Sequence, residues 1–174
     1  MELRSARLEL RALTTAHCDA ALALWQQPGV RRFLWDDRVI TREQALGPLR
    51  VSERDFLEHR FGLWGLHLPD NPALLGFCGL RVAEVTPEPE LLFALDDGFC
   101  GRGFAWEAAR AVLQHAFDAL GLPAVAAATD APNVRSSRLL EKLGMRLTRR
   151  VVHNGRDTLF YGYTIDDWAS GIEA

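Results

Sequence analysis

The chain has 174 residues, 48% of them hydrophobic and 25% charged, with a formal net charge of -3. That length suits one compact domain, residues 1–174, with its own core, and the composition leaves no room for a long disordered segment. The mildly acidic balance, without a block of like charge, argues against nucleic acid or an anionic membrane as the main partner.

Cys18, Cys78 and Cys100 are odd in number and widely spaced, so they form neither a disulfide framework nor a metal-ligand pair. A reducing, cytoplasmic setting is expected, with no metal. The N-terminal "MELRSARLELRAL" lacks the apolar core of a signal peptide, and no stretch has the length needed to span a bilayer.

In chain order, "RLELRAL" (Arg7 to Leu13) alternates apolar and charged residues as a half-buried strand does. "TTAHCDAALALWQQPG" then reads as a helix begun by a capping threonine and stopped at Pro28-Gly29. After "VRRFLWDD", the polar stretch from Thr41 to about Arg60 reads as two short helices broken near Pro48 and lying over the site. Phe61 to Leu68 and Leu74 to Val82 are apolar runs on either side of "PDNP", the signature of an antiparallel hairpin.

The stretch Glu90 to Leu120 organises the rest. An apolar strand, Glu90 to Leu95, ends at Asp96-Asp97-Gly98, and Gly101 and Gly103 precede a helix whose apolar residues recur from Phe104 to Leu120. The first amides of a helix have no internal acceptor, and bare glycines let an anion approach them, so this loop reads as a phosphate cradle that needs no lysine. Gly121 and Pro123 end the helix, and the small-residue strand "AVAAAT" follows, which makes a parallel crossover. "DAPNVRSSRLLEKLGM" is a helix capped by Asn133, striped by Leu139, Leu140 and Leu143 and stopped at Gly144. A last hairpin turns at Asn154-Gly155.

Rival phosphate motifs fit less well. "GRGFAW" lacks the third glycine of a dinucleotide fingerprint, and no lysine-serine or lysine-threonine pair follows it. The five histidines stand singly, and there is no G-x-S-x-G nucleophile elbow. Cys100 at a helix N-terminus would have a lowered pKa if it were a nucleophile, but no histidine is paired with it in sequence.

Three patterns carry a resemblance. "CGRGFA" (Cys100 to Ala105) aligns with [Q/R]-x-x-G-x-[G/A], matching at Gly103 and Ala105 and departing at Cys100; "APNVRSSRLLEKLGM" is close to A-x-N-x-x-S-x-x-x-L-E-K-L-G-F; "RLELRAL" is like R-L-x-L-R. On these the chain resembles the GNAT superfamily of acyl-coenzyme A-dependent N-acyltransferases, in the branch similar to the ribosomal-protein N-terminal acetyltransferases. The resemblance implies an α/β (α+β) fold, with a mostly antiparallel sheet of about six to seven strands flanked by helices and splayed at the coenzyme site.

It also implies a site. Acetyl-CoA would be the acyl donor, bound along Phe93 and Leu95, by the loop Cys100, Gly101, Arg102, Gly103, Phe104 and Ala105, and by Asn133. Glu90 aligns with the carboxylate used as base, directly or through water. Members often protonate the departing thiolate with a tyrosine on the helix after "AVAAAT"; this helix has none, and Ser136 is the nearest hydroxyl. Arg135, Arg138 and Lys142 are read as solvated helix charges.

The acceptor would be a primary amine. An α-amine titrates near about 8, whereas deprotonating a lysine amine near pH 7.5 costs about 4 kcal/mol, which favours a protein or peptide N-terminus. An aminoglycoside, a polyamine or another small amine is the alternative, as is an acyl-CoA-binding module that has lost catalysis. Trp25, Phe33, Trp35, Asp36, Asp37 and Tyr161 or Tyr163 are placed near the acceptor, with the two aspartates favouring a cation. Monomer and homodimer both remain open.

Overall fold

The computed structural model describes residues 1–82, 86–153 and 155–171. Among them one sheet has eight strands: β1 (Glu2–Arg4), β2 (Glu9–Ala12), β3 (Leu63–His67), β4 (Gly76–Arg81), β5 (Glu90–Leu95), β6 (Ala124–Asp130), β7 (Arg146–His153) and β8 (Arg156–Thr164). Their order is β1-β2-β3-β4-β5-β6-β8-β7, antiparallel throughout except between β5 and β6. The sheet exceeds the expected strand number partly because β1, three residues with charges at both ends, carries too little pattern to announce itself.

Two helical layers cover the sheet. On one face lie α1 (Cys18–Trp25), α2 (Pro28–Leu34) and α3 (Arg42–His59); on the other lie α4 (Phe104–Gln114), α5 (Val134–Lys142) and α6 (Ile165–Gly171). Side-chain alternation along β5 divides the core between them. Leu91, Phe93 and Leu95 pack with Phe104, Val112 and Leu140, while Leu92 and Ala94 pack with Trp25, Leu49 and Phe77.

Two sequence expectations change here. Pro28 does not stop a helix but starts one, as the first residue of α2, where its missing N–H costs nothing. The two short helices expected around Pro48 are a single 18-residue helix, α3. Pro48 withdraws one bond from the carbonyl of Gln44, and Gln44 is exposed, so water can serve that carbonyl. The start of α3 is fixed by a capping box in which Thr41 Oγ1 accepts from the Gln44 amide and Gln44 Oε1 accepts from the Thr41 amide.

The other elements stand as read. β3 and β4 form the expected hairpin, and β5, α4 and β6 make the parallel crossover. α4 continues as a π turn over His115–Ala119. β7 and β8 form the last hairpin; Gly155 has φ 75°, and Asn154 lies outside the described residues.

Candidate active site

The site begins with a defect in the sheet. β5 pairs with β4 along its whole length, but with β6 only at Glu90 and Ala126. Asp96 N donates to Leu75 O at 2.8 Å on the β4 side, and Ala126 N donates to Pro89 O at 2.9 Å on the β6 side. Strand alternation therefore turns the main-chain groups of Phe93 and Leu95 toward the gap where β6 diverges. The gap opens into a groove of about 1620 Å³.

The glycine loop closes one end of that groove. Asp96 accepts from Gly98 N at 2.8 Å and starts a 3-10 turn, Asp97–Phe99. Gly101 (φ 77°) and Gly103 (φ 84°) then take left-handed conformations that side chains resist. The first intrahelical bond of α4 runs from Glu107 N to Gly103 O at 3.1 Å. Phe104, Ala105 and Trp106 thus keep amides without a helical acceptor at the positive end of the helix. Anion, strand-like arm and groove fit together, so these residues suit acetyl-CoA.

Of the expected coenzyme residues, Phe93, Leu95, Cys100, Gly101, Gly103, Phe104, Ala105 and Asn133 all line the groove. Arg102 does not. It is exposed, its guanidinium lies 5.4 Å from the centre of the Phe99 ring, and its carbonyl accepts from Arg7. Arg135, Arg138 and Lys142, set aside as solvated charges, do line the groove and bring cations to it.

Cys100 is not an activated thiol. Burial, then the neighbouring Asp97, pushes its pKa up rather than down, and its Sγ donates to Asp96 O at 3.6 Å. Helix amides alone do not overcome that.

A residue missed in the sequence holds the loop in place. Glu107, in the first turn of α4, accepts from Ser5 Oγ, Arg7 N and Arg7 Nε, all at 2.7 Å. Arg7 also donates to Arg102 O at 3.2 Å and lies over Phe104, tying the segment between β1 and β2 to the loop. Burial pushes the Glu107 carboxyl up, but the bonds from Ser5 and Arg7 outweigh it and hold it below the ordinary 4.5. A carboxyl lowered in the fold contributes stability above its unfolded pKa and loses it as pH falls through the folded one. Glu107→Gln should therefore cost about 1–2 kcal/mol at neutral pH, the half-exposed Arg7 keeping it modest, and the gap should close in acid. Urea midpoints of the two proteins at neutral pH and at a series of values below about pH 4 would show it.

The two catalytic candidates stand on different elements. Glu90 starts β5 opposite Arg81 of β4, whose Nε and Nη2 both donate to Glu90 Oε2, at 2.8 and 2.6 Å. Ser136 lies in the first turn of α5; its amide donates to Asn133 Oδ1 at 3.3 Å. Asn133 is therefore a helix cap and a groove residue at once. Glu90 and Ser136 both line the groove.

A second cavity of about 560 Å³ lies on the α1–α3 face, and Glu90, Leu92 and Thr158 line both spaces. Trp25 and Trp35 line the second cavity, and Phe33 and Asp36 line the groove. Tyr161 and Tyr163 do not belong here. They are buried with the α4 cluster on the opposite face, as alternation along β8 requires. Nor are Asp36 and Asp37 open to a cation. Asp36 is bridged to Arg156 at 3.0 Å and to Arg38 at 3.4 Å, and Asp37 to Arg31 at 2.8 Å.

Comparison with known proteins agrees with this geometry. Residues 7–146 match the family model of the acetyltransferase (GNAT) domain. The uncharacterized N-acetyltransferase YoaA of Bacillus subtilis (strain 168) is 28% identical over 145 residues, 83% of this chain and 82% of that one. Among solved structures, an acetyltransferase from Agrobacterium tumefaciens str. C58 is 26% identical with a TM-score of 0.82, covering 94% of each chain. RimL, a ribosomal L7/L12 α-N-protein acetyltransferase, shares the fold at 17% identity and a TM-score of 0.81, over 96% of this chain and 99% of its own. With the splayed sheet and glycine loop already in place, these likenesses make the chain a member of the GNAT acetyltransferase family and an acetyl-CoA-dependent acyltransferase.

Proposed function

We propose that the protein transfers an acetyl group to the α-amine at the N-terminus of a protein or peptide, by direct attack with both substrates bound. The observation that carries this reading is the position of Glu90, on the boundary between the coenzyme groove and the second cavity. Acetyl-CoA supplies a thioester, already a good acyl donor, so the protein's task is to align a neutral amine and exclude water.

The main-chain groups of Phe93 and Leu95 hold the coenzyme's arm as a neighbouring strand would. The amides at the start of α4 receive the pyrophosphate, and Asn133 faces the arm. Cys100 offers no polar side chain, so the loop's grip rests on main-chain donors. Glu90 takes the proton from the amine, directly or through one water. Arg81 occupies Oε2 alone, so Oε1 is the oxygen presented to the amine. Ser136 donates toward the leaving sulfur. A coenzyme thiol titrates near about 8.5, so a hydroxyl without special activation suffices.

An α-amine requires less deprotonation than a lysine side chain, which suits a site with one carboxylate base. RimL acts on a protein α-amine, and the shared fold supports the same acceptor class here. The test is a mixed panel of N-terminal peptides and small amines, incubated with acetyl-CoA and read by mass spectrometry. Acetylated peptide α-amines are expected, and label confined to small amines would overturn the acceptor assignment. Stabilisation by acetyl-CoA without thiol release over the panel would favour a binding module.

A further inference from the structure

α3 buries Ala45, Leu49, Ser52 and Asp55, a stripe at helical spacing in which a carboxylate stands where an apolar residue belongs. Asp55 is only 1% exposed. Its Oδ1 is bridged to Arg54 Nη2 at a long 3.5 Å, and among the described residues its Oδ2 has no hydrogen-bond partner. Burying a carboxylate oxygen unpaired is unfavourable, and the fold gains nothing visible in exchange. Asp55 lines the second cavity, together with Trp25, Trp35, Phe77 and Phe160. The indole rings of Trp25 and Trp35 lie 5.8 Å apart, and neither Nε1 has an acceptor among the described residues.

A buried carboxylate with an unpartnered oxygen between aromatic walls is suited to receive a cation. The two indole N–H groups add donors suited to carbonyls. Glu90 stands where this cavity meets the groove, so an amine placed at Glu90 would send the rest of its molecule toward Asp55.

We propose that Asp55, with Trp25 and Trp35, forms a cation subsite, and that the preferred acceptor carries a second positive charge on an apolar tether beside its reactive amine. A peptide beginning with a basic residue supplies the cation and carbonyls; a diamine supplies the cation alone. The inference rests on the acyl-transfer reading above, since that reading puts the reactive amine at Glu90.

The test compares two peptides that differ only in a first residue of lysine or norleucine, and 1,5-diaminopentane with pentylamine. The cationic member of at least one pair should be used with roughly tenfold higher kcat/KM, and Asp55→Asn should bring that preference within about twofold. Preference in the peptide pair assigns the cation to a basic N-terminal residue. Preference only between the small amines keeps the subsite and overturns the peptide acceptor. Equal use within both pairs by the parent protein overturns the subsite. So does an Asp55→Asn variant that loses both members of a pair equally and melts several degrees lower, because that is a structural role; replacing a buried carboxylate that has one unpartnered oxygen should not lower the melting temperature. If no acceptor turns over, the acyl-transfer reading fails separately. Calorimetry with coenzyme A present then decides the subsite: diaminopentane, not pentylamine, should bind the parent protein, and Asp55→Asn should bind neither. No difference there overturns it.

Discussion

Glu90→Gln should lower kcat about 10²- to 10⁴-fold while leaving KM for acetyl-CoA nearly unchanged. The substitution keeps shape and leaves an oxygen for Arg81, but removes the group proposed to accept the amine's proton. The coenzyme contacts proposed here are chiefly main-chain, so its affinity should hold. The loss should shrink as pH rises past about 8, where an α-amine is already neutral without help. Thiol release followed from about pH 6.5 to about pH 9.5 would show this convergence. Turnover equal to the parent's across that range would remove Glu90 from the chemistry.

Trp64→Ala should be the most damaging change away from the site. Trp64, the second residue of β3, is fully buried, with Phe56 packed edge-on at 4.8 Å and His115 at 5.6 Å. Deleting a buried indole costs about 3–5 kcal/mol, a large part of the 5–15 kcal/mol typical of a domain. The melting temperature should fall by roughly 10 °C or more. Trp64 lines neither cavity, so turnover measured well below the melting range should stay close to the parent's. A large loss of kcat at low temperature would mean the cluster positions the site as well as supporting it.

The sequence displayed the elements with strong periodicity or strong punctuation. The stripe of α4, the Asn133 cap and the "PDNP" hairpin are local signals, and local physics decides them. Prolines misled in both directions, because Pro28 starts a helix and Pro48 rides inside one; each outcome turns on whether a particular N–H was needed. The groove wall along Phe93 to Ala105 was legible because it is made of nearly consecutive backbone. The acceptor side was not. Asp36 and Asp37 are as acidic in sequence as Asp55, and only the fold separates them: the first two stay exposed and bridged to arginines, whereas α3 buries Asp55 and leaves one of its oxygens unpartnered among the described residues. One clue to Asp55 was available, a carboxylate falling in step with Ala45, Leu49 and Ser52 on a helix that otherwise reads as polar. Glu107 was less visible still, since its partners Ser5 and Arg7 lie about a hundred residues away.

The lone pairing between Glu90 and Ala126 has a consequence for how the domain coheres. The first five strands pair in chain order, with α1 to α3 inserted between β2 and β3, and the last three form a second ribbon of their own. Between these halves the ladder has one rung, and helix packing makes the rest of the joint. A coenzyme arm laid along Phe93 and Leu95 would then act as a substitute strand at the seam, supplying hydrogen bonds that β6 withholds. Loading the cosubstrate and knitting the two ribbons into one sheet would be a single event, visible as slower amide exchange on β5.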